Sequence, residues 1–203
     1  MKNMLKDAAI LFVITVIAGA ILGAVYSVTK APIAEQEERK KQEACQEVFA
    51  DASTFEEMGI SEEEMNAAVA AGGYGKSSVN QVMKARDDAG NVLGYVITVT
   101  SHEGYGGDIQ FSMGVRMDGT LNGISILSIS ETPGLGMRAE EVLKPQFADK
   151  QVQQFTYTKT GAASDDQIDA ISSATITTNA VTNTVNAGLY YFHTALEGGS
   201  GNE

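Results

Sequence analysis

The chain has 203 residues and a formal net charge of −12, room for one domain with a core of its own plus an appendage. That acidity excludes nucleic acid and an anionic membrane surface as partners. One cysteine, Cys45, two histidines, His102 and His193, and no Cys-x-x-Cys pair exclude an internal disulfide, an iron–sulfur cluster and a metal centre, so redox chemistry here needs an organic cofactor.

Residues 8–29 carry no charge. As a helix they are long enough to cross a hydrocarbon core of about 30 Å, and they lack the polar face that a buried core helix keeps. Tyr26 stands where an interfacial anchor stands. Lys2 and Lys6 before the span place the N-terminus in the cytoplasm and the remainder outside, with Lys30 on the far side pulling the other way. A cleaved signal peptide is the competing account, because Ala18-Gly19-Ala20 fits a small-x-small processing site; the apolar run continues past it.

Thr29-Lys30-Ala31-Pro32-Ile33 follows, with Pro32 suited to a first helical turn. Residues 35–49 then read as a charged, solvated helix that lifts a domain off the membrane. Ser61-Glu62-Glu63-Glu64 is a capping box opening a short helix through Ala70, closed by Ala71-Gly72-Gly73-Tyr74-Gly75. Residues 79–86 and 92–100 flank a turn at 87–91 and read as a hairpin. In the second strand Leu93, Tyr95, Ile97 and Val99 share a face. Beyond a glycine loop, Gly104-Tyr105-Gly106-Gly107, the residues Ile109, Phe111, Met113, Val115 and Met117 alternate with polar or small ones. Asp118-Gly119 is a hairpin turn. Residues 121–129 return with a change of phase at Ile126-Leu127 that points to a bulge or a twist. The sum is an antiparallel sheet with one buried face.

Glu131-Thr132-Pro133-Gly134-Leu135-Gly136 is a loop by its Pro and Gly content. Gly134-x-Gly136-x-x-Ala139 fits the dinucleotide fingerprint and opens a predicted helix over 137–147. The next predicted strand, 152–158, carries no acidic residue for a ribose hydroxyl, and the strands before it are hairpin-connected, which excludes a nicotinamide site. The last helix carries Val181, Val185, Leu189, Phe192 and Leu196 at helical spacing, and the glycine-rich tail after Leu196 reads as disordered. At the mouth of this helix stand Ser172, Ser173, Ala174, Thr175, Thr177 and Thr178. Unpaired N–H groups and the positive dipole end favour a phosphate there, while a helix cap with spare hydroxyls accounts for the same residues. Chemistry alone does not choose among the hydroxyls of Thr175, Thr177 and Thr178.

The stretch Asp169-Ala170-Ile171-Ser172-Ser173-Ala174-Thr175 resembles the flavinylation motif of the FMN-binding domain family, Asp-x-x-(Ser/Thr)-Gly-Ala-Thr, with Ser173 where the family usually has Gly. Glu131 to Gly136 and the Gly104 to Gly107 loop are two further matches in the family's order. With an apolar span followed by Thr-Lys-x-Pro-Ile, the resemblance covers nearly the whole chain. It is similar to the G subunits of the Rnf complexes, membrane-bound ion-translocating ferredoxin:NAD⁺ oxidoreductases, which are related to the C subunit of the sodium-pumping NADH:quinone oxidoreductase.

The resemblance implies covalent FMN, joined by a flavin transferase to the Thr175 hydroxyl as a phosphoester, which makes the chain a phosphoprotein. It implies that Glu131, Thr132, Gly134, Leu135 and Gly136 line the flavin, with Gly134 and Gly136 allowing close backbone approach. Ser172, Ser173 and Ala174 complete the site, and Thr177 and Thr178 pair with the phosphate. The implied partners are the other subunits of the Rnf complex, the transferase during maturation, and the inner (cytoplasmic) membrane. The implied role is a redox subunit of a multisubunit translocase, not a stand-alone enzyme. Such a subunit relays electrons between its neighbours while the complex exports sodium or protons. The span has no ionisable residue, so the chain is not itself the ion path.

The expected fold class is α+β: a single N-terminal transmembrane helix, then an extracytoplasmic domain with a twisted antiparallel sheet and flanking helices. Residues 1–7 are expected to be cytoplasmic, 8–29 transmembrane, 30–76 a charged helical connector, 77–197 the FMN-binding domain and 198–203 a tail. A membrane-anchored extracytoplasmic binding or scaffolding domain without a cofactor is the second functional hypothesis.

Overall fold

The structure, a computed structural model, describes residues 2–197; the tail expected at 198–203 lies outside them. The chain divides into two compact units, residues 1–40 and the remainder from Lys41. Helix α1 (Lys2–Val48) takes up the first and enters the second. Every residue over 8–28 is exposed, a continuous apolar surface of the kind and length that a bilayer covers. Among the described residues this is the one helix long and apolar enough to cross a membrane. The helix does not restart at Pro32, which lies inside α1; the ring removes the amide that would bond the Val28 carbonyl. The Ser27 and Thr29 hydroxyls bond back to the Gly23 and Val25 carbonyls, each at 2.9 Å, which satisfies them within the helix.

The second unit is built on a five-stranded antiparallel sheet of β1 (Thr54–Glu57), β2 (Ser77–Arg86), β3 (Val92–Ser101), β4 (Ile109–Arg116) and β5 (Leu121–Ser128), paired in sequence order. Both expected hairpins form. Strand β1 was not expected, since its Thr-Phe-Glu-Glu sequence carries no clear alternation. Helix α2 (Glu62–Ala71) begins at Ser61, whose hydroxyl accepts from the Glu64 amide, as a capping box requires. The phase change in β5 is a bulge: Gln110 pairs with Ser128 and Phe111 with Ile126, so Leu127 is passed over. A second bulge passes over Asn122, and the Asn122 amide donates to the Val48 carbonyl at 2.8 Å.

The sheet is buried on two faces, not one. On one face Val79, Ile97, Val99, Phe111 and Met113 pack under α2 and the last helix, α4 (Thr175–Tyr191), through Met65, Val69, Val181, Val185 and Leu189. On the other, Ala85 and Val96 are covered by Cys45, Val48, Phe49 and Ala52. The charges over 35–43 mask this in the sequence. Cys45, Val48 and Phe49 follow them at the i, i+3, i+4 spacing that puts side chains on one helix face, and that stripe closes onto the sheet. Glu47 fastens it with a 2.6 Å ion pair to Lys144 and a hydrogen bond from Ser125. Burial pushes the Glu47 carboxyl up, but those two partners outweigh it and hold it below the usual range. Burial pushes the Cys45 thiol up to about 11, so Cys45 serves as a packing group and not as a nucleophile.

Residues 137–158 depart most from expectation. In place of one helix there is a 3-10 turn (Gly136–Arg138), a single α-turn, α3 (Ala139–Val142), and a second 3-10 turn (Lys144–Phe147). Pro145 lacks the amide that would continue α3. The predicted strand shrinks to β6 (Thr156–Thr158), paired in parallel with an unanticipated β7 (Gln167–Asp169). The architecture is α+β.

Candidate functional site

Strand β7 runs into the mouth of α4. Ser172 and Ser173 make the turn. Ala174 is the N-cap and has no side-chain cap bond, so the hydroxyls do not cap this helix; Thr175 is its first residue. The amides of Thr175, Ile176 and Thr177 therefore head the helix with no carbonyl behind them. Ser173, the position where the flavinylation motif usually has Gly, adopts a left-handed φ of 63°. Glycine takes that conformation freely, and a Cβ there costs about 1–2 kcal/mol. Ser173→Gly is expected to stabilise the domain by about 0.5–1 kcal/mol after glycine's extra unfolded-state entropy. Thermal unfolding of the full chain in detergent should show a Tm higher by a few degrees; an unchanged or lower Tm would mean that the turn is not strained.

The three threonines are not equivalent. The buried Thr178 hydroxyl donates to the Ala174 carbonyl at 3.0 Å and accepts from the Ile171 amide at 3.1 Å. The buried Thr177 hydroxyl donates to Glu131 Oε2 at 2.9 Å. Both hydroxyls donate within the fold. Thr175 is half-buried, and among the described residues its hydroxyl has no hydrogen-bond partner. Asp169, the first residue of the motif, accepts from the Ala162 amide at 2.8 Å and so braces the loop before β7.

The Glu131 to Gly136 loop packs against this mouth. Its turn closes through bonds from the Leu135 and Met137 amides to the Thr132 carbonyl, at 3.1 and 3.3 Å. Gly134 supplies the turn's φ of 76°, and open space surrounds it; its role is conformation and not close approach. Gly136 is the close approach: a Cβ there would lie 2.5 Å from Thr177 Oγ1 and 2.6 Å from Glu131 Oε2.

Between loop and helix lies a cleft of about 540 Å³, within the usual range for small-molecule sites. Its walls are Glu131, Thr132, Leu135 and Gly136 on one side and residues 173–177 on the other, with Tyr105 at the rim. Of the expected residues, Gly134, Ser172 and Thr178 fall outside the lining. Tyr105 and Ile176 line it and were not singled out; their signals were an aromatic among glycines and an apolar residue off the buried stripe of α4, 53% exposed. No Lys or Arg lines the cleft, so an anion there would rest on helix amides. The lining combines those amides and the free Thr175 hydroxyl with the apolar Leu135 and Ile176 and the Tyr105 ring. This donor set fits a phosphate joined to a flat, largely apolar ring system, as in FMN.

The chain matches the FMN-binding domain family over residues 104–190 and the RnfG N-terminal region over residues 1–48. It is 32% identical to the G subunit of the Na(+)-translocating ferredoxin:NAD(+) oxidoreductase complex of Acetobacterium woodii, over 94% of this chain and 92% of that one. It is equally similar, at 32%, to the G subunit of the ion-translocating oxidoreductase complex of Methanosarcina acetivorans, over 94% and 95% of the two chains. Among solved structures it resembles NqrC of Shewanella oneidensis at a TM-score of 0.47 and 23% identity, over 56% of this chain and 58% of that one.

An α+β domain with a helix-mouth cleft, behind one membrane-spanning helix, is the makeup of a membrane-anchored protein with an FMN-binding domain. Within that class, the chain belongs to the family of G subunits of the Rnf ion-translocating oxidoreductase complexes.

Proposed function

We propose that the chain is the flavin-carrying electron-transfer subunit of an Rnf complex, with FMN attached through a phosphoester to Thr175 by a flavin transferase. In this role it relays electrons between neighbouring redox subunits of the complex. The observation that carries the proposal is the difference among the threonines: Thr177 and Thr178 are engaged in the fold, while the Thr175 hydroxyl is free and lines the cleft. The amides of residues 175–177 and the helix dipole would hold the phosphate. Gly136 lets the loop lie against α4, and Leu135, Ile176 and Tyr105 would shield the ring from water. The flavin supplies the electron chemistry when bound.

The experiment is to express the chain with a flavin transferase, denature it, and look for flavin fluorescence that stays with the polypeptide band. Peptide mass spectrometry then locates the adduct. Flavin that separates completely from the denatured chain would leave the cofactor-free scaffold as the better account.

The proposal places the domain outside the cytoplasmic membrane and the N-terminus inside, on the strength of Lys2 and Lys6 ahead of the span. Protease added to cells with a permeable wall should degrade the domain. Degradation confined to inverted vesicles would reverse the orientation.

A further inference from the structure

Glu131 is 6% exposed, and among the described residues no cation pairs with it. Its Oε2 accepts from the Thr177 hydroxyl at 2.9 Å and its Oε1 from the Gly106 amide at 3.2 Å. Donors on both oxygens are the pattern of a carboxylate, which only accepts. The surrounding backbone makes room for it. A Cβ on Gly104 would lie 2.9 Å from Oε1, and one on Gly136 would lie 2.6 Å from Oε2. Three separate segments, the glycine loop, the Glu131 loop and the mouth of α4, thus close around one acidic side chain on the cleft wall. A buried charge is costly unless hydrogen bonds compensate it, and here the compensating donors are the parts that shape the cleft.

We propose that Glu131 is the positioning residue of this cleft: its carboxylate ties the glycine loop to the mouth of α4, and its unneutralised charge lowers the reduction potential of the flavin. The tie stands on the geometry alone, whereas the effect on potential rests on the flavin reading of the site. Electrons added beside a fixed negative charge in a poorly screened site are opposed by it. The carboxylate therefore acts through the position and field of the cleft and not by touching reacting atoms.

Two substitutions separate the two effects. Glu131→Gln keeps the shape and the acceptor for the Gly106 amide, replaces the second oxygen by an amide that donates to Thr177 Oγ1, and removes the charge. Glu131→Ala removes both bonds. In the full chain without flavin, hydrogen exchange at the Gly106 amide should speed up on the order of tenfold in Glu131→Ala and stay near wild type in Glu131→Gln. Should Glu131→Ala not fold, Glu131→Asp, shorter by one methylene, is expected to show the same faster exchange. Exchange as slow as wild type in the shortened variant would overturn the tie.

In the flavin-loaded chain, titrated with dithionite as the source of two electrons per flavin and solvent as the source of protons, Glu131→Gln should show a more positive midpoint potential than wild type. An unchanged or more negative value would overturn the charge effect. A wild-type chain that takes up no flavin would sink the flavin reading instead, and the exchange comparison would still decide the tie.

Discussion

Thr175→Ala should give a folded chain with no covalent flavin after co-expression with the transferase, while Thr177→Ala and Thr178→Ala are still labelled. In the sequence the three hydroxyls are interchangeable as nucleophiles. In the fold they are not, because Thr178 spans Ala174 and Ile171 and Thr177 is held by Glu131. The Thr175 hydroxyl has no partner to lose among the described residues, and Ala174, not Thr175, is the cap. Alanine is also the better helix former by about half a kcal/mol, so the Tm should move by no more than about 2 °C. Loading falls to nothing while stability stays put. Covalent flavin retained in Thr175→Ala, or an adduct mapped to Ser172, Ser173, Thr177 or Thr178, would refute the assignment.

Gly136→Ala should be the more damaging of the two single-methyl changes at the glycines of the Glu131 to Gly136 loop. The added carbon would meet Thr177 Oγ1 at 2.5 Å and the Glu131 carboxyl and Cβ at 2.6 and 2.7 Å. Neither neighbour is a free end that swings aside, because each is buried and bonded to the other. Overpacking of this kind costs about 1–3 kcal/mol, and parting Glu131 from Thr177 adds about 1.5–3 kcal/mol. The loop is therefore expected to lift from α4, with loss of flavin loading and a fall in the urea midpoint. Gly134→Ala is the control, since its methyl meets open space and its cost is the positive φ alone, about 1–2 kcal/mol. Equal stability and equal loading in the two variants would mean that Gly136 is not the point of contact.

Much of this was legible in the residues. Period-two alternation found β3 and β4, the turn at Asp118-Gly119 found β5, the phase slip at Ile126-Leu127 marked the bulge at Leu127, and Ser61 with Glu64 found the start of α2. Each of these is set by neighbours a few residues apart. What escaped depends on partners far along the chain. The commitment of Thr177 requires Glu131, 46 positions away. β6 and β7 are three residues each and are strands only because they pair with one another. Ser173 was recognisable as a departure from a motif, but the φ that makes the departure matter belongs to the turn between β7 and α4.

The cover that Cys45, Val48, Phe49 and Ala52 lay over the outer face of the sheet decides where a soluble fragment must begin. A fragment starting at the glycine-rich turn near residue 75 would keep every residue of the cleft yet leave Ala85 and Val96 bare. Burial of a side chain such as Phe49 or Val48 contributes about 1.5–3 kcal/mol, against a total of about 5–15 kcal/mol for a whole domain. Such a fragment would be short of stability and would present an uncovered apolar sheet face, a recipe for inclusion bodies. The cut that frees this domain from its membrane belongs before Lys41, upstream of the last turns of a helix that the charge pattern alone would assign to solvent.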